Sequence, residues 1–248
     1  MSTYLATGLV LHSRPFREGD RLYTLYTARH GKLELIAAGS QKFTSKLSPN
    51  LQPFAEVEVM VARGKLLDRL ASASLQELYL RPPYQLPKAL LGSCLLEVTD
   101  VLTEEEQPEP RLYELLRASL AELSSLPDAE SNWRPPARWL LTRFTVEALK
   151  LLGLSVSLTH CEHCHTELAD PTEFSWSRHG FFHRACAEPA ERRVPLPAAA
   201  LAWLSRAAKV GVGASESVPA SALAFLTDYV GGQVGRELYT LKVLRSIL

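Results

Sequence analysis

The sequence predicts an α+β chain of several parts: a small β-barrel at the N-terminus, a helical body after it, and a compact cysteine-bearing insert among the helices. Three observations predict this. Over the first eighty residues apolar and polar residues alternate in short runs, as in half-buried strands. From residue 81 the apolar period changes to that of helices. Three of the four cysteines fall between Cys161 and Cys186.

The strands come first. "ATGLVLHSR" is rich in β-formers, and "DRLYTLYTARHGKLELIAAG" predicts a hairpin whose turn, "RHGK", places Gly31 where a left-handed backbone is needed. "AEVEVMVAR" alternates strictly, with Val57, Val59 and Val61 on one face and Glu56, Glu58 and Met60 on the other. "LLDRLASASLQEL" fits strand or helix. A polar, basic loop, "SQKFTSKLSPN", lies before "AEVEVMVAR". Four or five short strands in about eighty residues suggest a barrel of OB-fold type.

The helices follow. Leu90, Leu91, Cys94, Leu95 and Val98 share one helical face, and the stripe reads as core. Cys94 is then a buried core thiol. "RLYELLRASLAELSSL" predicts a second helix. "PPARWLLTRFTVEALKLLG" predicts a third, with prolines in its first turn, Gly153 at its C-terminal end, and a stripe of Trp139, Leu140, Phe144, Ala148 and Leu151. "LPAAALAWLSRAAKV", "SALAFLTDYVGGQVG" and "RELYTLKVLRSIL" complete the helical part, with "GVGASESVPAS" as an inter-helix loop.

Composition narrows the function. The 248 residues hold 27 Lys or Arg and 27 Asp or Glu, so the net charge is zero. The charge is uneven: ten basic against seven acidic residues over 1–80, eight against eleven over 81–150, and nine of each afterwards. A neutral chain can hide a basic face, although a balance of +3 also arises by chance. No apolar run reaches membrane-spanning length, and the N-terminus does not resemble a signal peptide. Four cysteines in so long a chain are no disulfide framework, so a cytoplasmic protein with reduced thiols is expected. Phosphate-loop, GxGxxG, GxSxG and HExxH motifs are absent.

The chemistry concentrates in "HCEHC" and "HRAC". Together they read C-x2-C-x18-H-x2-C, formed by Cys161, Cys164, His183 and Cys186. Two-residue spacing lets a tight turn aim both ligands at one point, and two such knuckles across a hairpin make a tetrahedral zinc site. "EFSWS", "RHG" and "FFH" supply that hairpin. Three thiolates and one imidazole form a closed structural set. A thioredoxin-like pair needs its CxxC at a helix N-terminus after a strand, and a zinc deaminase needs H-x-E followed by P-C-x-x-C; neither pattern is complete. Spacing alone leaves a cysteine nucleophile open. His160, His163 and His165 read as exposed neighbours, any of which is an alternative to His183 as ligand.

The expected division is an OB-fold domain over 1–80, a first helical part over 81–154, a zinc-binding module over 155–190 and a second helical part over 191–248. The combination resembles the bacterial RecO family of recombination mediators. "GLVLHSRPFREGDRLYTLYTARHGKLELIAAGSQK" is similar to the family's opening, and "LQPFAEVEVMVARGKLLDRLASASL" to its next segment. "ALKLLGLSVSLTHCEHC" and "GFFHRAC" look like its two knuckles, and "GGQVGRELYTLKVLRSIL" like its C-terminal ending. The family commonly carries cysteine where His183 stands. The resemblance implies an N-terminal OB-fold β-barrel followed by an α-helical domain with an inserted zinc-binding module. It implies binding of single- and double-stranded DNA, annealing without ATP, and work with RecR and single-strand-binding protein to load RecA.

An OB barrel grips single strands with a basic groove and stacking platforms. Arg14, Arg17, Arg21, Lys42 and Lys46 are the groove candidates. Tyr23, Tyr26 and Phe43 are candidates to stack on bases, with packing inside strands as the alternative. Arg184, Arg192 and Arg193 flank the second knuckle and either extend the surface or form a solvated cluster. No catalytic residue is expected. Two other readings remain: a zinc-stabilised adaptor without DNA contact, and a metal-dependent enzyme acting on nucleic acid.

Overall fold

Strand β1, Thr3–Arg17, is long enough to serve two neighbours, and it sets the architecture of the N-terminal part. The computed structural model describes residues 2–41, 45, 47–82, 85–127, 132–168, 172–186, 193–210, 217–235 and 237–245. Along its first half β1 pairs antiparallel with β4, Ala55–Ala62; along its second half it pairs with β2, Asp20–Thr27. A register shift between Val10 and His12 lets the strand bend from one partner to the other. β2 pairs with β3, Gly31–Ala37, and Gly31 adopts φ +67° in the turn, as the "RHGK" reading requires. β3 meets β5, Asp68–Leu78, in a short parallel contact, and β5 pairs with β4. The strand order β1-β2-β3-β5-β4 therefore closes on itself. Val57, Val59 and Val61 point into its core beside Leu25, Leu35 and Leu70.

Two helices share this compact unit, which spans Met1–Ala129: α1, Leu86–Leu102, and α2, Pro110–Ser125. The division at residue 129 falls inside the 81–154 segment that the sequence suggests as one helical part. Polar side chains fasten both helices to the barrel. Lys32 donates to the Asp100 carbonyl at 2.7 Å, and His12 stands 3.4 Å from the Asp100 carboxylate. Glu56 accepts hydrogen bonds from the hydroxyls of Tyr79 and Tyr113. Gly92 is required where α1 crosses Phe54, since a Cβ there would lie 2.7 Å from that ring and 2.9 Å from Leu123.

The second unit, Glu130–Leu248, opens with α3, Arg134–Leu151. Gly153 follows it at φ +70°, a left-handed residue that ends the helix. Next comes a small sheet in the order β7-β6-β8: β6, Thr172–Ser175, β7, Gly180–His183, and β8, Arg193–Leu196. The first two are the expected hairpin. β8 is not anticipated by the sequence and runs directly towards α4, Ala198–Val210. Helices α5, Ala220–Val234, and α6, Tyr239–Arg245, complete the unit. Phe174, Trp176 and Phe181 of the module pack with Phe225 and Tyr229 of α5, with ring centroids 5.2–6.4 Å apart. Among the described residues no helix is long and apolar enough to cross a membrane.

Candidate metal centre and nucleic-acid interface

The first knuckle is a tight turn held by its own backbone. The Cys161 N–H donates to the Thr166 carbonyl at 2.9 Å, and the His165 N–H to the Cys161 carbonyl at 2.9 Å. His165 takes φ 57° to close the turn. The Glu162 N–H donates to the Phe181 carbonyl at 3.0 Å and ties the knuckle to β7. The second knuckle grows from the end of β7, where His183 leads into a short 3-10 turn, Arg184–Cys186.

Across the two knuckles, Cys161, Cys164, His183 and Cys186 bring one ligand atom each to within 4.8 Å of one another. No other such group of three or more His, Cys, Asp or Glu residues occurs among the described residues. Four donors at zinc-bond lengths around one ion would stand about 3.5–3.8 Å apart. The Cys164 Sγ already lies 3.5 Å from His183 Nδ1. His183 Nε2 faces the Glu167 carbonyl at 3.0 Å, so Nε2 carries the proton and donates it there. Nδ1 is left with its lone pair towards the thiols, the state a ligand needs. The donor set, its closeness and this tautomer fit zinc.

The thiols are electrostatically unequal. Hydrogen bonds from the Thr166 hydroxyl and backbone N–H draw Cys164 down to about 7. Burial opposes ionisation of Cys161, but backbone N–H groups of Cys164, His163 and His183 outweigh it and lower its value. Burial, then the neighbouring Cys164 and Cys161, push Cys186 up to about 11. Three thiolates so close repel one another, and a dication among them reverses that penalty. His160, His163 and His165 are exposed and stand outside the cluster. Cys94 is fully buried in the first unit.

The basic candidates are distributed unevenly. Arg14 and Arg17 are exposed near the β1–β2 turn, Arg14 lying 3.5 Å from Glu34 and Arg17 over the Phe16 ring at 5.0 Å. Arg21 is turned back, donating to the Ser13 hydroxyl at 3.0 Å and 3.2 Å. Lys42, Lys46 and Phe43 lie outside the described residues, as does Arg192. Tyr23 and Tyr26 do not form an open stacking platform: they are 4% and 0% exposed, Tyr23 in the barrel core and Tyr26 with its hydroxyl 3.4 Å from the Glu109 carbonyl beside α2. Near the second knuckle, Arg184 and Arg193 both pair with Glu173, at 3.5 Å and 2.7 Å. That carboxylate offsets much of their charge. Glu167 acts through a backbone carbonyl and so carries no side-chain signal in the sequence; Thr166 is similarly invisible to ligand spacing.

Two family models match the chain: Recombination protein O N terminal over residues 1–79, and Recombination protein O C terminal over residues 83–242. A DNA repair protein RecO of Anaeromyxobacter dehalogenans (strain 2CP-C) is 30% identical over 250 residues, covering 97% of this chain and 95% of that protein. The protein of the same name from Pelotomaculum thermopropionicum is 32% identical over 180 residues, covering 73% and 67%. That of Desulforamulus reducens is 28% identical over 193 residues, covering 77% and 72%.

Proposed function

The chain belongs to the recombination protein O (RecO) family, and from that premise we propose that it is a DNA-binding recombination mediator in DNA repair. In this reading it binds single- and double-stranded DNA and anneals complementary strands without ATP. With RecR it helps load RecA onto single strands coated by single-strand-binding protein. It works in the cytoplasm and is not an enzyme. Residues 1–80 act as an OB-fold domain, a reading that the strand order β1-β2-β3-β5-β4 supports. Residues 81–154 and 191–248 are the helical parts of the chain, and 155–190 the zinc-binding module.

The observation that carries the proposal is the pair of exposed arginines, Arg14 and Arg17, at one turn of a five-stranded ring. Annealing needs no nucleophile. It needs phosphate charge neutralised on two strands so that they can meet, and a basic face does this by releasing counterions without reading sequence. Arg14 and Arg17, with Arg21, Lys42 and Lys46, are the residues assigned to that face. Cys161, Cys164, His183 and Cys186 hold structural zinc, which supplies a fixed crosslink between the knuckles and no reactive centre.

The test is filter binding to single-stranded DNA across a salt series, with and without RecR. Salt-dependent binding that is indifferent to sequence supports the proposal. No binding at low salt would overturn it in favour of a zinc-stabilised adaptor.

A further inference from the structure

One dipeptide, Thr166–Glu167, reaches three of the four clustered ligands. The Thr166 carbonyl accepts from the Cys161 N–H at 2.9 Å. The Thr166 hydroxyl oxygen lies 3.1 Å from Cys164 Sγ. The Glu167 carbonyl faces His183 Nε2 at 3.0 Å. The dipeptide doubles back along the approach to the first knuckle: Glu167 bridges to His160, and the Leu168 N–H donates to the Thr159 carbonyl at 2.8 Å. Backbone pairing thus holds the hydroxyl beside the thiol.

The three cysteines of the cluster are covered to different degrees. Cys161 is fully buried, Cys186 half-buried and Cys164 exposed. Cys164 is therefore the thiol that a reagent in solution meets first. When Cys164 binds a metal its sulfur is a thiolate with no proton to give, so the Thr166 hydroxyl must be the donor between them. A hydrogen bond to an anionic acceptor stabilises the charge it points at. It also makes the sulfur less basic, and with lower basicity goes lower nucleophilicity.

We infer that Thr166 is a positioning residue of the metal centre: its hydroxyl steadies the exposed Cys164 thiolate on the ion and blunts its attack on electrophiles. This rests on the metal-centre reading and adds to it a residue that ligand spacing does not mark. Cys161 needs no such guard, because burial keeps reagents from it. The corner of the site with the least cover is the one given a side-chain donor of its own. Groups of this kind, one bond removed from a metal, tune how firmly its ligands are held.

The experiment compares the zinc-loaded full chain with Thr166→Val and Thr166→Ala, which lose the hydroxyl, and with Thr166→Ser, which keeps it. Each is treated with iodoacetamide, which forms an Sγ–carbon bond as its carbon–iodine bond breaks and iodide leaves. Alkylation of each cysteine is followed by peptide mass spectrometry, and zinc release with pyridylazoresorcinol. In the wild type Cys164 should react before Cys161 and Cys186. Thr166→Val and Thr166→Ala should speed Cys164 alkylation and zinc release by about fivefold, while Thr166→Ser stays near wild type. With cobalt in place of zinc, Thr166→Val should move the thiolate-to-metal charge-transfer band to longer wavelength and leave the d–d bands in place. Loosened packing alone would not make that change. Zinc kept by Thr166→Ser but shed by both hydroxyl-free variants would also support the inference. Rates and band unchanged in both hydroxyl-free variants overturn it, as does equal acceleration at all three cysteines. A wild-type chain that holds no zinc overturns the metal-centre reading itself.

Discussion

His183 donates from Nε2 to the carbonyl oxygen of Glu167 at 3.0 Å, and this one bond decides which ring nitrogen faces the Cys164 thiol. A backbone carbonyl cannot be changed by a side-chain substitution, so the orientation is built into the path of the chain beside β7. The first prediction follows. Purified protein is expected to carry one zinc per chain by metal analysis. Cys161→Ser should lose it, while His183→Cys should retain it, since thiolate and imidazole are both good zinc ligands. Cys186→Ser should loosen the module and leave the barrel's β signal in place. Metal content well below one per chain, unaffected by Cys161→Ser, would reject the site.

Strand annealing should proceed without nucleotide and without cleavage. Two complementary labelled oligonucleotides, mixed with the protein and a magnesium-free buffer, are expected to anneal faster than alone and to remain full length on a denaturing gel. ATP-dependent turnover that vanishes with a point change in this chain would refute the non-enzymatic reading.

Lys42 and Lys46 lie in the polar segment that follows β3, and loops of this kind frame the ligand groove of a small barrel. Lys42→Ala/Lys46→Ala is expected to lower the salt slope for single strands by about 1.4, with a similar affinity loss for every sequence. Zinc content should not change. An unchanged slope would move the phosphate contacts to Arg14, Arg17 and Arg21 or to the arginines near the zinc module.

Alkaline pH should weaken the first unit. Burial, then the hydrogen bond and charge of Glu56, raise both Tyr79 and Tyr113 above the ordinary tyrosine value. Burial also pushes Tyr26 up to about 12. A raised folded value favours the neutral phenol, so its contribution is complete below about pH 10 and is lost as pH climbs through the folded values. The denaturant midpoint by circular dichroism is expected to hold from pH 7 to 9 and to fall from about pH 10 upward. Tyr113→Phe should flatten that fall. An identical fall in the variant would assign it to other groups.

Gly232→Ala should disturb the module through α5. A Cβ at Gly232 would lie 2.2 Å from Trp176 Cζ3, with two further ring atoms at 3.0 Å. Overpacking of this kind costs about 1–3 kcal/mol. A shifted tryptophan emission and a lower melting temperature are the expected readouts, and a wild-type spectrum with wild-type stability would contradict the contact.

Much of this architecture is legible because the deciding signals are local. Val57, Val59 and Val61 announce their buried face through strict alternation, and "AEVEVMVAR" forms β4 as expected. "LLDRLASASLQEL", ambiguous by pattern, resolves to strand β5 because it pairs along β4. The four clustered ligands follow from two short spacings and a hairpin. What is lost depends on the third dimension. β2 is buried on both faces from Leu22 to Thr27, so Tyr23 and Tyr26 carry no period-two signature that separates core from platform. β8 is four residues long and contains Pro195, features that demote a strand when read alone; it forms by pairing with β6, twenty or so residues earlier in the chain.

β8 also bears on whether the cysteine segment is a removable cassette. Thr172 to Ser175 of β6 pair with Leu196 to Arg193, and Leu196 stands two residues before α4. Excising residues 155–190 would take away the central strand of the sheet and leave β8 with exposed ladder groups at the entrance to a helix. A chain that dispenses with this segment must therefore rebuild the approach to α4, and a graft of the segment into another scaffold must bring β8 with it. The natural unit of exchange extends through Leu196, beyond its last cysteine.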